Sequence, residues 1–345
     1  MSRILSGDLP RSKFLSILLV VILLGLVAAP FIFPGARSLN VAAKVAVFVL
    51  LVASYDLLLG YTGIVSFAHT MFFGIGGYGI GIAAAKLGAT WDSLALGFVT
   101  SLALTLLIAL GIGLLSLRVR TIFFAMITLA VAAFFQILAS QLSDFTGGED
   151  GLNFRVPELL RDRLVCYYLV LAAAAALFLV LLRVVNSPFG RVLQSIRENE
   201  FRAESLGYRT VFYRTTANCL GALFATLAGA LYALWLRYTG PDTTLSFAIM
   251  IDLLLMVVIG GMGTMYGAVI GATLFVVAQN YLQDLMKLAS DATAGIPLLP
   301  GLLHPDRWLL WLGVLFVVCV YWFPAGVVGK LRQARSAQPR SSRAA

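Results

Sequence analysis

The sequence predicts an all-α protein, a polytopic bundle of membrane-spanning helices. Three observations predict it: 60% of the 345 residues are hydrophobic, only 12% are charged, and mean hydropathy is +0.94. A soluble domain carries about 25% charged residues. The apolar runs are long and unbroken rather than alternating. They therefore read as helices, which satisfy their backbone groups within each segment, and not as strands of a closed barrel. At roughly 20 apolar residues per span, the length accommodates about eight to ten spans.

The segment 1–13 is short and basic. Residues 14–33 are apolar and followed by Pro34. This run exceeds a signal-peptide core and lacks a small-residue cleavage site, so it reads as an uncleaved first span. Further spans are expected near 41–59, 67–86, 93–117, 122–142, 164–185, 215–237, 246–262, 265–283 and 308–325. This layout gives a membrane domain over 14–325 and a basic tail at 326–345, expected to be disordered and drawn to an anionic inner leaflet. Ten spans place both termini on one side.

Charge supports that layout. With the N-terminus in the cytoplasm, inner segments hold Arg3, Arg11 and Lys13, then Arg118 and Arg120. They also hold Arg183, Arg191, Arg197, Arg202, Arg209 and Arg214, and the tail residues Lys330, Arg332, Arg335, Arg340 and Arg343. The outer side collects Asp144, Glu149, Asp150, Glu158 and Asp162. This is the positive-inside pattern. The net charge of +9 therefore reflects topology and partnership with a lipid bilayer, with no nucleic acid implied.

Cys166, Cys219 and Cys319 lie in apolar runs without CxxC spacing and read as small buried hydrophobes. The chain lacks GxxxxGK[ST], HExxH and GxSxG, so no catalytic residue, metal site or bound cofactor is expected. Any ATP-driven step would use ATP on a separate chain.

The stretch from Gly60 to Gly81 is unusually rich in glycine and also carries Ser66, His69 and Thr70. Two readings stand: close packing of helices through small residues, or a broken helix whose freed backbone lines a polar path. The run from Gly260 to Gly267, with Gly261 and Gly263, joins two spans with almost no loop. It makes them antiparallel neighbours, or forms a flexible gate. Asp56 and Asp252 lie deep in spans, where ionisable groups point to function. Each either orients neighbouring backbone or binds a substrate ammonium. Together Ser66, His69, Asp56, Asp252, Gly260, Gly261 and Gly263 are the candidate translocation path. Asp-Leu-Leu-Leu occurs at both aspartates, in spans of equal orientation, which does not fit an inverted duplication. Lys44 and Lys86, near outer span ends, are expected to snorkel. Gln136 is expected to bond across to another helix.

The outer loop from Asp144 to Gly151 has turn chemistry throughout. It is either a tight connection or a docking surface through Thr146, Gly147 and Gly148. The inner loop 186–214 is the most informative segment. Ser187 and Pro188 open a helix expected to reach Arg197. Asn199 then caps a second helix, Glu200 to Leu206, that Gly207 ends. A helix this short is marginal alone in water. With Phe201 and Leu206 as apolar contacts, it is either a helix seated on another subunit or a solvated loop tied to the membrane domain.

Several segments in order resemble the LivM-type permeases of branched-chain amino acid ABC importers, over roughly residues 41–283. They are Gly60-Tyr-Thr-Gly-Ile-Val-Ser-Phe-Ala-His69, Phe72-Phe-Gly-Ile-Gly-Gly-Tyr78, Thr146-Gly-Gly-Glu-Asp-Gly-Leu152 and Ser187-Pro-Phe-Gly-Arg191. Ile196-Arg-Glu-Asn-Glu200, Ala203-Glu-Ser-Leu-Gly207, Leu227-Ala-Gly-Ala-Leu-Tyr232 and Met256-Val-Val-Ile-Gly-Gly-Met-Gly263 complete the set. The resemblance implies a permease in the bacterial inner membrane, moving branched-chain amino acids by alternating access. It implies a second, LivH-type permease subunit, two ABC ATPase subunits and a periplasmic substrate-binding protein as partners. It makes 186–214 the coupling loop, with Glu200, Ala203, Glu204 and Gly207 linking ATP hydrolysis to the pore, and turns the outer glycine loop toward the binding protein. Urea or short amides are the alternative substrates, because related permeases carry them. A proton-coupled carrier using Asp56 or Asp252 is the competing mechanism.

Overall fold

The computed structural model describes residues 13–32, 35–116, 121–292, 304, 307–322, 326 and 328. The basic segment 1–12, Arg118, Arg120 and the tail 329–345 lie outside the described residues.

Helices form where the apolar runs predict them. They are α1 (Lys13–Ile32), α2 (Ala36–Thr62), α3 (His69–Leu87), α4 (Trp91–Ser116) and α5 (Thr121–Gln141). After the short α6 (Ser143–Thr146) come α7 (Arg163–Val185), α8 (Pro188–Glu198), α9 (Glu200–Ser205) and α10 (Thr210–Leu236). Next follow α11 (Pro241–Thr244), α12 (Phe247–Gly260), α13 (Met265–Ala292) and α14 (Trp308–Trp322). Among the described residues, 8 helical segments are long and apolar enough to cross a membrane, and α1 adds a shorter apolar stretch, Leu15–Phe31. The protein is therefore a multi-pass membrane protein.

The centre is α2. Its residues from Val41 to Leu58 are almost all buried, with α10, α13, α7 and α12 packed around it. Such burial on every side marks an inner helix. The closest crossing is α3 on α10, and glycine makes it. A Cβ on Gly76 would lie 1.9 Å from the Thr226 carbonyl oxygen, and one on Gly229 would lie 1.8 Å from that of Phe73. Lipid is as apolar as leucine, so such backbone approach, with its dispersion contacts, replaces hydrophobic burial as the adhesive. Thr226 also shares a hydrogen bond with Thr105 of α4, 2.7 Å. By contrast α4 and α5 leave large apolar side chains outside, among them Val99, Leu107, Ile122, Met126 and Phe134.

Connections gather at two ends of the bundle. At one end sit the 63–68 link, the 261–264 turn and the α8–α9 hairpin. At the other, a short antiparallel pair joins β1 (Leu152–Asn153) to β2 (Tyr238–Thr239). Arg237, left-handed at φ 57, caps α10 there and donates to the carbonyls of Leu160 (3.0 Å) and Arg161 (2.8 Å).

Candidate functional site

The glycine stretch does two different things in succession. α2 stops at Gly63, whose φ of +73 ends the helix in a left-handed cap. Residues 63–68 are not helical, and α3 begins at His69. Residues 63–68 thus connect two complete spans. Further along, the α3 glycines serve close packing, as Gly76 shows.

The second glycine turn meets the first. α12 ends at Gly260, α13 starts at Met265, and Gly261 and Gly263 carry φ of +115 and +78. The carboxylate of Asp56 on α2 accepts the Gly263 N–H at 2.9 Å. A Cβ on Gly60 would fall 2.3 Å from the Gly263 nitrogen. Only glycine at 60 lets the two backbones approach this far.

A third element closes the contact. The guanidinium of Arg197, in the last turn of α8, donates to the Gly60 carbonyl. That carbonyl belongs to the last turn of α2, where helix acceptors lack internal partners and the dipole favours a cation. The stem of Arg197 also lies against Gly63, 3.3 Å from where a Cβ would stand. One arginine thus fastens the α8–α9 hairpin to both glycine turns. The sequence does not single out Arg197; it is an exposed residue of α8, whose buried residues are Gly190, Leu193 and Ile196.

The other path residues lie apart from this knot. His69 is fully buried and its Nε2 shares a 2.8 Å hydrogen bond with Ser54 Oγ. Ser54 Oγ also donates to the Leu51 carbonyl at 2.7 Å. His69 Nδ1, the Tyr55 hydroxyl, Ser66 Oγ and Asp56 Oδ2 are buried without a hydrogen-bond partner. The Tyr55 and His69 rings are 5.2 Å apart. Asp252 belongs to a separate group: Gln279 donates to it at 3.2 Å, and Lys44 donates to Gln279 at 2.9 Å. Lys44 therefore does not snorkel as its position suggests. Its amine bonds within the bundle and lies over the Phe48 ring. Gln136, expected to bridge helices, bonds to no other helix among the described residues; it lines a hollow with Ser140, Gln141 and Glu149.

In the hairpin, Asn199 caps α9 by accepting the Arg202 N–H at 2.9 Å, and Gly207 follows it at φ +90. Ser187 precedes Pro188 as expected, but its hydroxyl turns back to the Val184 carbonyl at 2.6 Å instead of capping. Ala203 is buried. Glu200 pairs with Arg214, and Glu204 accepts from the Thr210 hydroxyl at 2.7 Å. Both acids thus clip α9 to the start of α10. Two large apolar side chains point outward among exposed polar ones: Phe201 is 80% exposed and Leu206 71%.

At the far end, Thr146 and Gly148 are buried, and the Thr146 hydroxyl donates to the Ala139 and Leu142 carbonyls at 2.5 and 2.7 Å. With Gly147 at φ +79 these residues shape the loop. Asp144, Phe145, Glu149 and Asp150 form its outer surface. Among the described residues no cluster of His, Cys, Asp or Glu could hold a metal ion.

Comparison with known proteins follows this geometry. The family described as "Branched-chain amino acid transport system / permease component" matches residues 37–320. The chain is 26% identical over 360 residues to the high-affinity branched-chain amino acid transport system permease protein LivM of Salmonella typhimurium, covering 95% of this chain and 77% of the relative. It is 26% identical over 347 residues to the protein of the same name from Escherichia coli, covering 91% and 75%. A probable LivM permease protein of Methanocaldococcus jannaschii is 31% identical over 169 residues, 47% of this chain and 45% of the relative. No solved structure matches.

Proposed function

Because this chain belongs to the family of branched-chain amino acid transport system permease components, we propose that it is one of two permease subunits of an ATP-driven importer for branched-chain amino acids. A LivH-type chain is the second subunit. Two ABC ATPases complete the assembly, and one of them binds the α8–α9 hairpin from the cytoplasm, where both termini also lie. A substrate-binding protein delivers the amino acid to the outer loop around Phe145. This chain binds no cofactor; ATP is consumed on the partners.

The observation that carries this reading is the Arg197 contact. α9 is a single short helix, too short to hold itself in water, with Phe201 and Leu206 turned outward. Seated in an ATPase, it moves with that subunit. Arg197 passes the motion to the Gly60 carbonyl, and Asp56 carries it to Gly263. The two glycine turns then separate or close, and the path beside Ser66 and His69 changes its access. A hydrogen bond to a charged group contributes about 1.5–3 kcal/mol, enough to bias a two-state gate by tenfold or more. Asp252 acts more remotely, holding α12 to α13 through Gln279.

Reconstitution tests the reading. Proteoliposomes holding both permease chains and the ATPases, supplied with binding protein and radiolabelled leucine, should accumulate leucine only with ATP. Uptake by this chain alone under a pH gradient would make it a proton-coupled carrier. ATP-driven uptake of urea in place of leucine would move the substrate to short amides.

A further inference from the structure

α4 and α5 are consecutive helices, yet they splay apart over α3. Between the three lies a crevice of about 510 Å³. Its deeper part is aliphatic and aromatic, with Ile75, Leu104, Phe135 and Leu138. Polar character is confined to a few places. Tyr78 lines it, is 7% exposed, and keeps its hydroxyl buried without a hydrogen-bond partner. Lys86, in the last turn of α3, is the charged residue of the lining, and its amine stands 4.2 Å from the centre of the Phe145 ring.

Those features select the occupant. The side walls belong to the two helices whose apolar faces are most open to the bilayer, so a molecule enters from lipid. A free amino acid is a zwitterion and needs an acceptor for its ammonium as well as a cation for its carboxylate. The lining offers a cation and no carboxylate. A buried ammonium left unmatched is costly. An anionic amphiphile is matched at both ends: hydrocarbon against the deep wall and phosphate against Lys86. Eight residues of helix separate Tyr78 from Lys86, about 12 Å of rise.

We propose that the crevice between α3, α4 and α5 holds one acyl chain of an anionic phospholipid, its phosphate on Lys86. Phe145 and Thr146 form part of the same wall. The lipid is thereby continuous with the outer loop and braces it. This inference needs only that the chain lies in a bilayer, so it stands or falls apart from the importer reading.

Native mass spectrometry of the full complex, taken from bilayers of equal phosphatidylglycerol and phosphatidylcholine with identical acyl chains, tests it. The wild type should retain phosphatidylglycerol over phosphatidylcholine by about tenfold, the ratio that one charge contact of ~1.4 kcal/mol supports. Lys86→Ala should abolish the preference and Lys86→Arg should keep it. Thr100→Trp, which fills the crevice from the α4 side, should expel both lipids. An unchanged preference in Lys86→Ala together with unchanged retention in Thr100→Trp would overturn the proposal. So would displacement of the lipid by millimolar leucine, which would make the crevice an amino-acid site.

Discussion

Arg197 and Gly60 are 137 residues apart in sequence, and the guanidinium of the first donates to the carbonyl of the second. The contact joins a hairpin outside the span layer to the end of the most buried helix. Two further groups depend on it geometrically: Asp56, one turn before Gly60, and Gly263, whose N–H Asp56 accepts at 2.9 Å.

Asp56→Ala strands the half-buried Gly263 N–H. Leaving such a donor unpaired costs about 1–3 kcal/mol. The variant should melt several degrees lower in detergent, by fluorescence thermal denaturation. Asp56→Asn keeps an acceptor oxygen and should recover most of the loss.

Gly60→Ala places a Cβ where the Gly263 nitrogen already is, 2.3 Å away. Overpacking of this kind costs about 1–3 kcal/mol, and here it pushes the two turns apart. Cysteine accessibility at Ser66, buried in the native chain, should rise in this variant. Unchanged labelling would show that the turns tolerate separation without opening.

Phe201 and Leu206 are exposed and do little for the fold. Phe201→Ser and Leu206→Ser should therefore leave the melting temperature of the isolated chain within a degree. Their effect should appear in binding. Aromatic and apolar anchors at the centre of an interface cost about 2 kcal/mol or more on truncation, so co-purification with the ATPases should weaken more than tenfold. Retained binding would place the interface elsewhere on the hairpin.

Lys44, Gln279 and Asp252 connect α2, α13 and α12. Residues in one network couple by about 0.5–3 kcal/mol. A double-mutant cycle of Lys44→Ala and Asp252→Ala, read by steric trapping, should show the double variant less damaged than the sum of the singles. Additive losses would mean that the two charges stand independently.

What the sequence disclosed follows the range of each interaction. Spans were legible because twenty apolar residues in a row have one stable solution in lipid. The caps of the hairpin were legible because Asn199, Pro188 and Gly207 act on neighbours a few residues away. Ser187 lay in the right place, but its hydroxyl donates to the Val184 carbonyl instead of accepting a helix N–H. Lys44 was misread, since its nearest polar partner, Gln279, is 235 residues on. The Arg197 contact also spans a long separation, 137 residues, and no local pattern around Arg197 pointed to it. The glycine stretch left two readings because local composition cannot separate a helix break from a close crossing. Neighbouring backbones show the close crossing at Gly76, while residues 63–68 connect two complete spans.

Hydrolysis and uptake measured together in vesicles holding the complete importer give the sharpest test of Arg197. With Arg197→Gln, ATP hydrolysis should continue at near the native rate, because the hairpin still reaches its ATPase through Phe201 and Leu206. Leucine uptake per ATP should fall about tenfold or more, the equivalent of ~1.4 kcal/mol of lost bias. A variant that hydrolyses ATP normally and moves leucine at the native ratio would show that the hairpin reaches the gate by another route.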